Sequence, residues 1–261
     1  MKYLILCLSV LLFVPKLNSQ SEILGEYQRI LNTYVDYYGR VKYKMLAENE
    51  ISNLSHVVNR MCLNSPKYKP EYFKSNKKKL AFWINLYNAI VLNEVVTHYP
   101  VKSIQNIRNI WKKKHHLAGL KLSLDEIEHD FIRKFNDPRT HFAIICGAYS
   151  CPKLQRFVFT GELLDNQLES VEKEFYNNPI NFQINVDKAQ IKVSELFFWY
   201  AEDFSIDTKF SKKMTETEQK TSILKYLKTK TPDHIRNQII LINNLEIIKM
   251  PWHWQLNEAR L

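Results

Sequence analysis

Between Leu80 and Val96 nearly every side chain is apolar, and Phe82, Trp83, Ile84, Leu86, Tyr87, Ile90, Val91 and Leu92 occupy every side of a helical wheel. A helix that is apolar all round cannot lie at a surface; other elements must enclose it. The rest of the chain therefore has to supply a shell around one central helix. Asn85 and Asn88 interrupt the run, and a buried amide must find partners. They either pin a neighbouring strand through its backbone or line a cleft and polarise a substrate carbonyl.

The shell can be read from periodicity. Ile23, Leu24, Tyr27, Ile30, Leu31 and Tyr34 recur at helical spacing, as do Leu54, Val57, Val58 and Met61. Residues 111–122 suit a hairpin turning at Ala118-Gly119. Ser123-Leu124-Asp125-Glu126 then matches a capping box, in which hydroxyl and carboxylate satisfy free amides at a helix start. Phe182, Ile184 and Val186 alternate, as do Ile191 and Val193, which predicts a second hairpin. Ser194 precedes a short aromatic helix, helices follow at 211–229 and 233–243, and Ile247 to Met250 reads as a last strand. The stretch from His141 through Ile145 reads as a buried strand ending in a tight turn, with a helix opening at Pro152. Only five glycines occur, too few for the many tight turns of an all-β protein. The expected fold is α+β: a predominantly helical single domain, residues 20–261, packed around a small β-sheet with short hairpins.

The first nineteen residues look different from the rest. A basic Met1-Lys2 precedes an apolar stretch from Tyr3 to Val14 and a polar close ending at Ser19, the pattern of a cleaved signal peptide. The expected destination is therefore secreted or periplasmic. No later apolar run reads as a transmembrane segment. Loss of Lys2 and Lys16 takes the formal charge from +10 to +8. The dense runs at Lys77-Lys78-Lys79 and Lys112-Lys113-Lys114 adjoin apolar segments and read as solvated faces. No platform of interleaved aromatic and basic residues is evident, so nucleic acid is not an expected partner. The substrate or ligand is expected to be a small molecule or a peptide.

Several motifs together resemble a known family. Ala81-Phe82-Trp83-Ile84-Asn85-Leu86-Tyr87-Asn88-Ala89 is followed by Ser123-Leu124-Asp125-Glu126-Ile127-Glu128-His129. Asp137-Pro138-Arg139-Thr140-His141-Phe142-Ala143 then leads to Cys146-Gly147-Ala148 and Ser150-Cys151-Pro152. In order and content these are similar to the domain-of-unknown-function 547 family. Val35-Asp36-Tyr37, Phe198-Trp199-Tyr200 with Asp203-Phe204, and Trp254-Gln255-Leu256-Asn257 resemble its outer motifs. His253 stands where the family more typically has an acidic residue. The resemblance implies a shared fold and site and no particular reaction.

Three chemistries fit the soft side chains around that site. In the first, a thiol-dependent hydrolase or acyl-transfer enzyme, Cys151 caps the helix at Pro152, whose dipole favours the thiolate. Cys151 is then the nucleophile, His129 or His141 the base, Glu128 the group that orients an imidazole, and Asn85 or Asn88 the donor to the substrate oxygen. In the second, a non-catalytic binding or scaffold domain, Cys146 and Cys151 form a disulfide that stiffens one turn, and Cys62 is a buried thiol. In the third, His129, His141, Cys146 and Cys151 hold a tetrahedral zinc, the one cofactor the sequence suggests. The first and third readings require the turn sulfurs and a histidine to meet at one solvent-reachable hollow.

Overall fold

A computed structural model describes residues 20–117, 119–206 and 214–259. The expected signal peptide lies outside the described residues, as does the start of the helix expected at 211. The architecture is α+β and predominantly helical.

Helix α3 (Asn76–Thr97) is the axis. Ser75 caps it, its side chain accepting from the Lys78 N–H, and positions 80–92 are buried without exception. By length and composition α3 could cross a membrane, contrary to the expectation that no such run exists. Most of its apolar surface is nevertheless enclosed by the fold, which makes it a core helix here. Helix α2 (Tyr43–Leu63) packs along α3 and α1 (Gln20–Tyr34) along α2, each through the apolar stripe its periodicity foretold. The hairpin of β1 (His115–Leu117) and β2 (Leu120–Leu122) leads into α4 (Leu124–Glu126), which has the expected Ser123/Glu126 capping box. That helix does not stay regular. It widens into a π turn over Ile127–Ile132 and tightens into a 3-10 turn over Arg133–Phe135.

Helix α5 (Leu164–Asn177) precedes a three-stranded sheet. Strands β3 (Phe182–Asn185) and β4 (Gln190–Ser194) pair antiparallel, Phe182 opposite Val193 and Ile184 opposite Ile191. Strand β5 (Glu246–Met250) adds in parallel, reached through α6 (Leu196–Trp199), α7 (Glu216–Lys230) and α8 (Asp233–Ile240).

The segment 138–159 departs from expectation. Residues Pro138–Phe142 form a 3-10 turn, no strand follows, and no helix opens at Pro152. The reason is the source of its hydrogen bonds. Ile145 N–H donates to Asn88 Oδ1, Phe159 N–H to Asn85 Oδ1 and Val158 N–H to Gln28 Oε1, each at 2.9 Å. Side-chain amides thus satisfy a buried backbone that a neighbouring strand would otherwise have to pair.

The last residues close the structure. The chain at 255–259 bridges Ser103, Ala148 and Val41 in turn, so turn 35–41 and loop 146–149 hang on one strap. Asn257 reinforces the junction by accepting from Tyr43 Oη at 2.7 Å and donating to the Gly39 carbonyl at 3.2 Å.

Candidate functional site

Cys146 and Cys151 form a disulfide, with their Cα atoms 6.1 Å apart. Gly147 between them takes a left-handed φ of +78°, which a side chain would resist. The Cys146 N–H also points at Cys151 Sγ, 2.9 Å away. With no helix at Pro152, the dipole expected to favour a Cys151 thiolate is missing. Burial of Cys62 pushes its thiol up to about 12, so it is chemically quiet.

The asparagines of α3 take the structural role. Asn88 Nδ2 donates to the Ala143 carbonyl at 2.9 Å while its Oδ1 accepts from Ile145. Asn85 makes the equivalent pair with Phe159, donating at 2.7 Å. Both amides spend their capacity on backbone, not on an open cleft.

The histidines separate. His129 is exposed on the π turn, its Nδ1 2.9 Å from the Asp125 carbonyl. His141 is buried, its Nε2 2.7 Å from Asp203 Oδ2, and its ring stacks on Tyr200 with centroids 4.0 Å apart. Arg133 clamps the same carboxylate through Nε at 2.6 Å and Nη2 at 2.8 Å, and lies over the Tyr200 ring. Burial pushes the Asp203 carboxyl up, but bonds from His141 and Arg133 outweigh it and hold the group well below the usual carboxylate range. Glu128 joins from the π turn, accepting from Tyr87 Oη at 3.3 Å and bonding Tyr200. Glu128 and His141 thus do meet in one buried network, but no hydrogen bond connects that network to either turn cysteine. Glu128 bonds tyrosines and reaches the His141 imidazole through Tyr200, which stacks on that ring. Among the described residues, no three His, Cys, Asp or Glu side chains are grouped to hold a metal, and the disulfide uses both of the sulfurs that zinc would need.

The sulfurs and the imidazoles also face different hollows. An open cleft of about 560 Å³ is lined by Tyr37, Tyr38, Arg40, Tyr149, Cys151 and Lys153, with an asparagine-rich edge from Asn177 to Asn181. Arg40 and Tyr149 are shared with an adjoining hollow of about 460 Å³ under His253 and Gln255. Neither includes His129, His141 or Glu128. The network opens elsewhere: Asp203 lines a hollow of about 410 Å³ together with Arg139, Glu172 and Tyr226. None of these three hollows unites a turn sulfur with His129 or His141: the turn after His141 sends the ring toward α6 and the cysteines toward the strap.

Sequence reasoning missed Tyr38, Arg40, Tyr149 and Lys153. They come from two distant segments and converge only because residues 255–259 tie turn 35–41 to loop 146–149. The resemblance at Asp36-Tyr37 and at Gln255-Leu256-Asn257 was the available signal, since it marked both ends of that tie.

Residues 71–176 match the family model described as "Protein of unknown function, DUF547". No curated protein and no solved structure matches the chain. The matched span holds both α3 asparagines, Glu128, His129, His141 and the cysteine pair. Turn 35–41, Asp203 and the closing strap lie outside it.

Proposed function

We propose, for a chain that its residues 71–176 place in the DUF547 family, that the function is ligand binding: an exported domain takes its ligand in the cleft beside Cys151, and the Cys146–Cys151 disulfide stiffens one wall. The observation that carries this reading is the position of Cys151 Sγ. It is bonded to Cys146 on the wall of an open cleft whose lining also holds Tyr37, Tyr38, Tyr149, Arg40 and Lys153, together with Glu174, apolar residues of α5 and an asparagine-rich edge. A cleft of this volume falls within the range of small-ligand sites, and a disulfide fits the oxidising compartment that the N-terminal pattern suggests. A thiol enzyme would need Cys151 reduced and an imidazole beside it, and the hydrogen bonds put His141 on Asp203 instead.

Two measurements test the reading. Intact mass of the exported protein should fall short of the all-thiol value by the two hydrogens lost on pairing, and iodoacetamide without reductant should leave Cys151 unmodified. Rapid labelling of Cys151 in native protein would restore the nucleophile and remove this proposal. Second, an NMR screen with a mixed fragment library should shift resonances of Tyr37, Tyr38, Arg40 and Tyr149 together; a library that never perturbs them argues against a site there.

The brace has its own expected size. Replacing both cysteines by serine should cost about 2 kcal/mol by urea denaturation, the loop-closure value for so short a span. Unchanged stability would mean that the strap alone orders the wall.

A further inference from the structure

Turn 35–41 holds aromatic rings in the open on a fixed backbone. Asp36 Oδ1 accepts from the N–H groups of Tyr38 and Arg40, both at 2.8 Å, and Val35 pairs with Val41 across the base. Gly39, at φ +76°, lies so close to Leu154 that a Cβ would fall 2.8 Å from its backbone nitrogen. The main chain that carries the rings is therefore held in place. Tyr37 and Tyr38 nevertheless remain 73% and 72% exposed, edge to face, beside the cleft. Uncovered tyrosines on a fixed backbone, with only two side-chain torsions each, lose little conformational entropy when a ligand arrives.

The charge beside them is positive and only partly compensated. The Arg40 guanidinium lies 5.8 Å from the centroids of both Tyr38 and Tyr149, at the point where the two hollows join. Among the described residues it has no carboxylate partner. Lys153 Nζ lies 4.5 Å over the Tyr37 ring and 3.4 Å from Glu174. At the opposite edge Asn181 is 1% exposed, and its Oδ1 accepts no hydrogen bond. That acceptor is closed off from solvent, so the amides a ligand can meet at this edge are the exposed Asn177 and the half-buried Asn178.

The walls thus ask for three features in one molecule: a flat C–H face for tyrosine, an anion for Arg40, and hydroxyls for the amides of Asn177 and Asn178. We propose that the cleft takes an acidic saccharide, a uronic-acid-type sugar whose ring face packs on Tyr37 and Tyr38 while its carboxylate pairs with Arg40. This deepens the binding function proposed above and rests on it. An acidic peptide offers the anion, but the apolar Val171 and Phe175 in the lining are core side chains only 2% and 3% exposed, which gives a peptide side chain little to enter, so peptide binding becomes an outcome of the test.

The experiment is calorimetric titration of the full disulfide-bonded protein with oligogalacturonate, with neutral malto-oligosaccharide and with oligoglutamate. Oligogalacturonate should bind at least ~10-fold more tightly than either comparison, and Arg40→Gln should weaken it by a similar factor and flatten its salt dependence. A Tyr37→Ala/Tyr38→Ala protein should lose affinity as much. Both rings are exposed, so these changes leave the core intact, and circular dichroism checks that they do. Equal binding of the neutral sugar or of oligoglutamate overturns the assignment, as does retained binding in Arg40→Gln. If oligogalacturonate fails while library fragments still shift the cleft, the ligand class is wrong and the binding function stands. If nothing shifts the cleft, both fall.

Discussion

Replacing Asn88 by leucine is expected to remove about 2–6 kcal/mol of stability, although the two side chains have the same branching and number of heavy atoms. The branching and heavy-atom count are kept, so the loss reports mainly hydrogen bonding, with a smaller share from the bulkier methyl groups. Asn88 is 4% exposed and serves two backbone groups, the Ala143 carbonyl and the Ile145 N–H. Leucine strands both of them in a place water does not reach, and each orphan costs about 1–3 kcal/mol. Asn85→Leu should behave alike, since it strands both backbone groups of Phe159. Urea denaturation of each variant against the parent gives the number. A loss below about 1 kcal/mol would mean that the segment finds other partners, and that the amides are not what replaces its missing strand.

The second large effect depends on pH. Glu172 is buried on α5, and desolvation raises its carboxyl from 4.5 to about 7 despite the bond donated by Tyr226 Oη and the nearby Arg139 charge. In the folded protein it therefore holds its proton where the unfolded chain has released it. Folding gains from this below about pH 4.5, and the gain is lost as pH rises through about 7. The full difference is on the order of 3 kcal/mol. Glutamine keeps an acceptor for Tyr226 and cannot ionise. Glu172→Gln should thus gain stability over the parent by that order at pH 8 while differing little near pH 4. Parallel stability–pH curves for the two proteins would show that some other group titrates. Asp203 works in the opposite sense: held ionised by His141 and Arg133, it contributes above the normal carboxylate range and fails only in stronger acid.

The helices and hairpins were legible because each repeats a short pattern. The unbroken apolar run of α3, the stripes of α1 and α2, the Ser123/Glu126 box and the alternation at Phe182–Ile184 and Ile191–Val193 all needed only neighbouring residues. Segment 138–159 was misread for the same reason. Phe142 through Ile145 is as apolar as a buried strand, and what prevents one is the pair of amides on a helix more than fifty positions away. Pro152 suits a helix start equally well as an extended chain, and burial of Leu154 and Phe159 decided for the latter. Spacing and the expected compartment offered the cysteine pairing only as one of three readings, beside a free Cys151 nucleophile and a zinc site. They did not offer the partner of His141, since Asp203 comes from beyond α6 and stacking on Tyr200 fixes the ring's direction. The cleft was least legible of all, because no single stretch of sequence contains it.

The amide clamps of α3 carry a kinetic consequence. The wall that bears the disulfide has no ladder or helix of its own to melt separately, so the main-chain protons of Ile145 and Phe159 are locked by the deepest element in the protein. In deuterium oxide they should swap only when the entire domain opens, as slowly as the midpoint of α3 itself. An irregular stretch of chain would then be among the most rigid parts of the protein, and a ligand arriving at it would meet a surface already set.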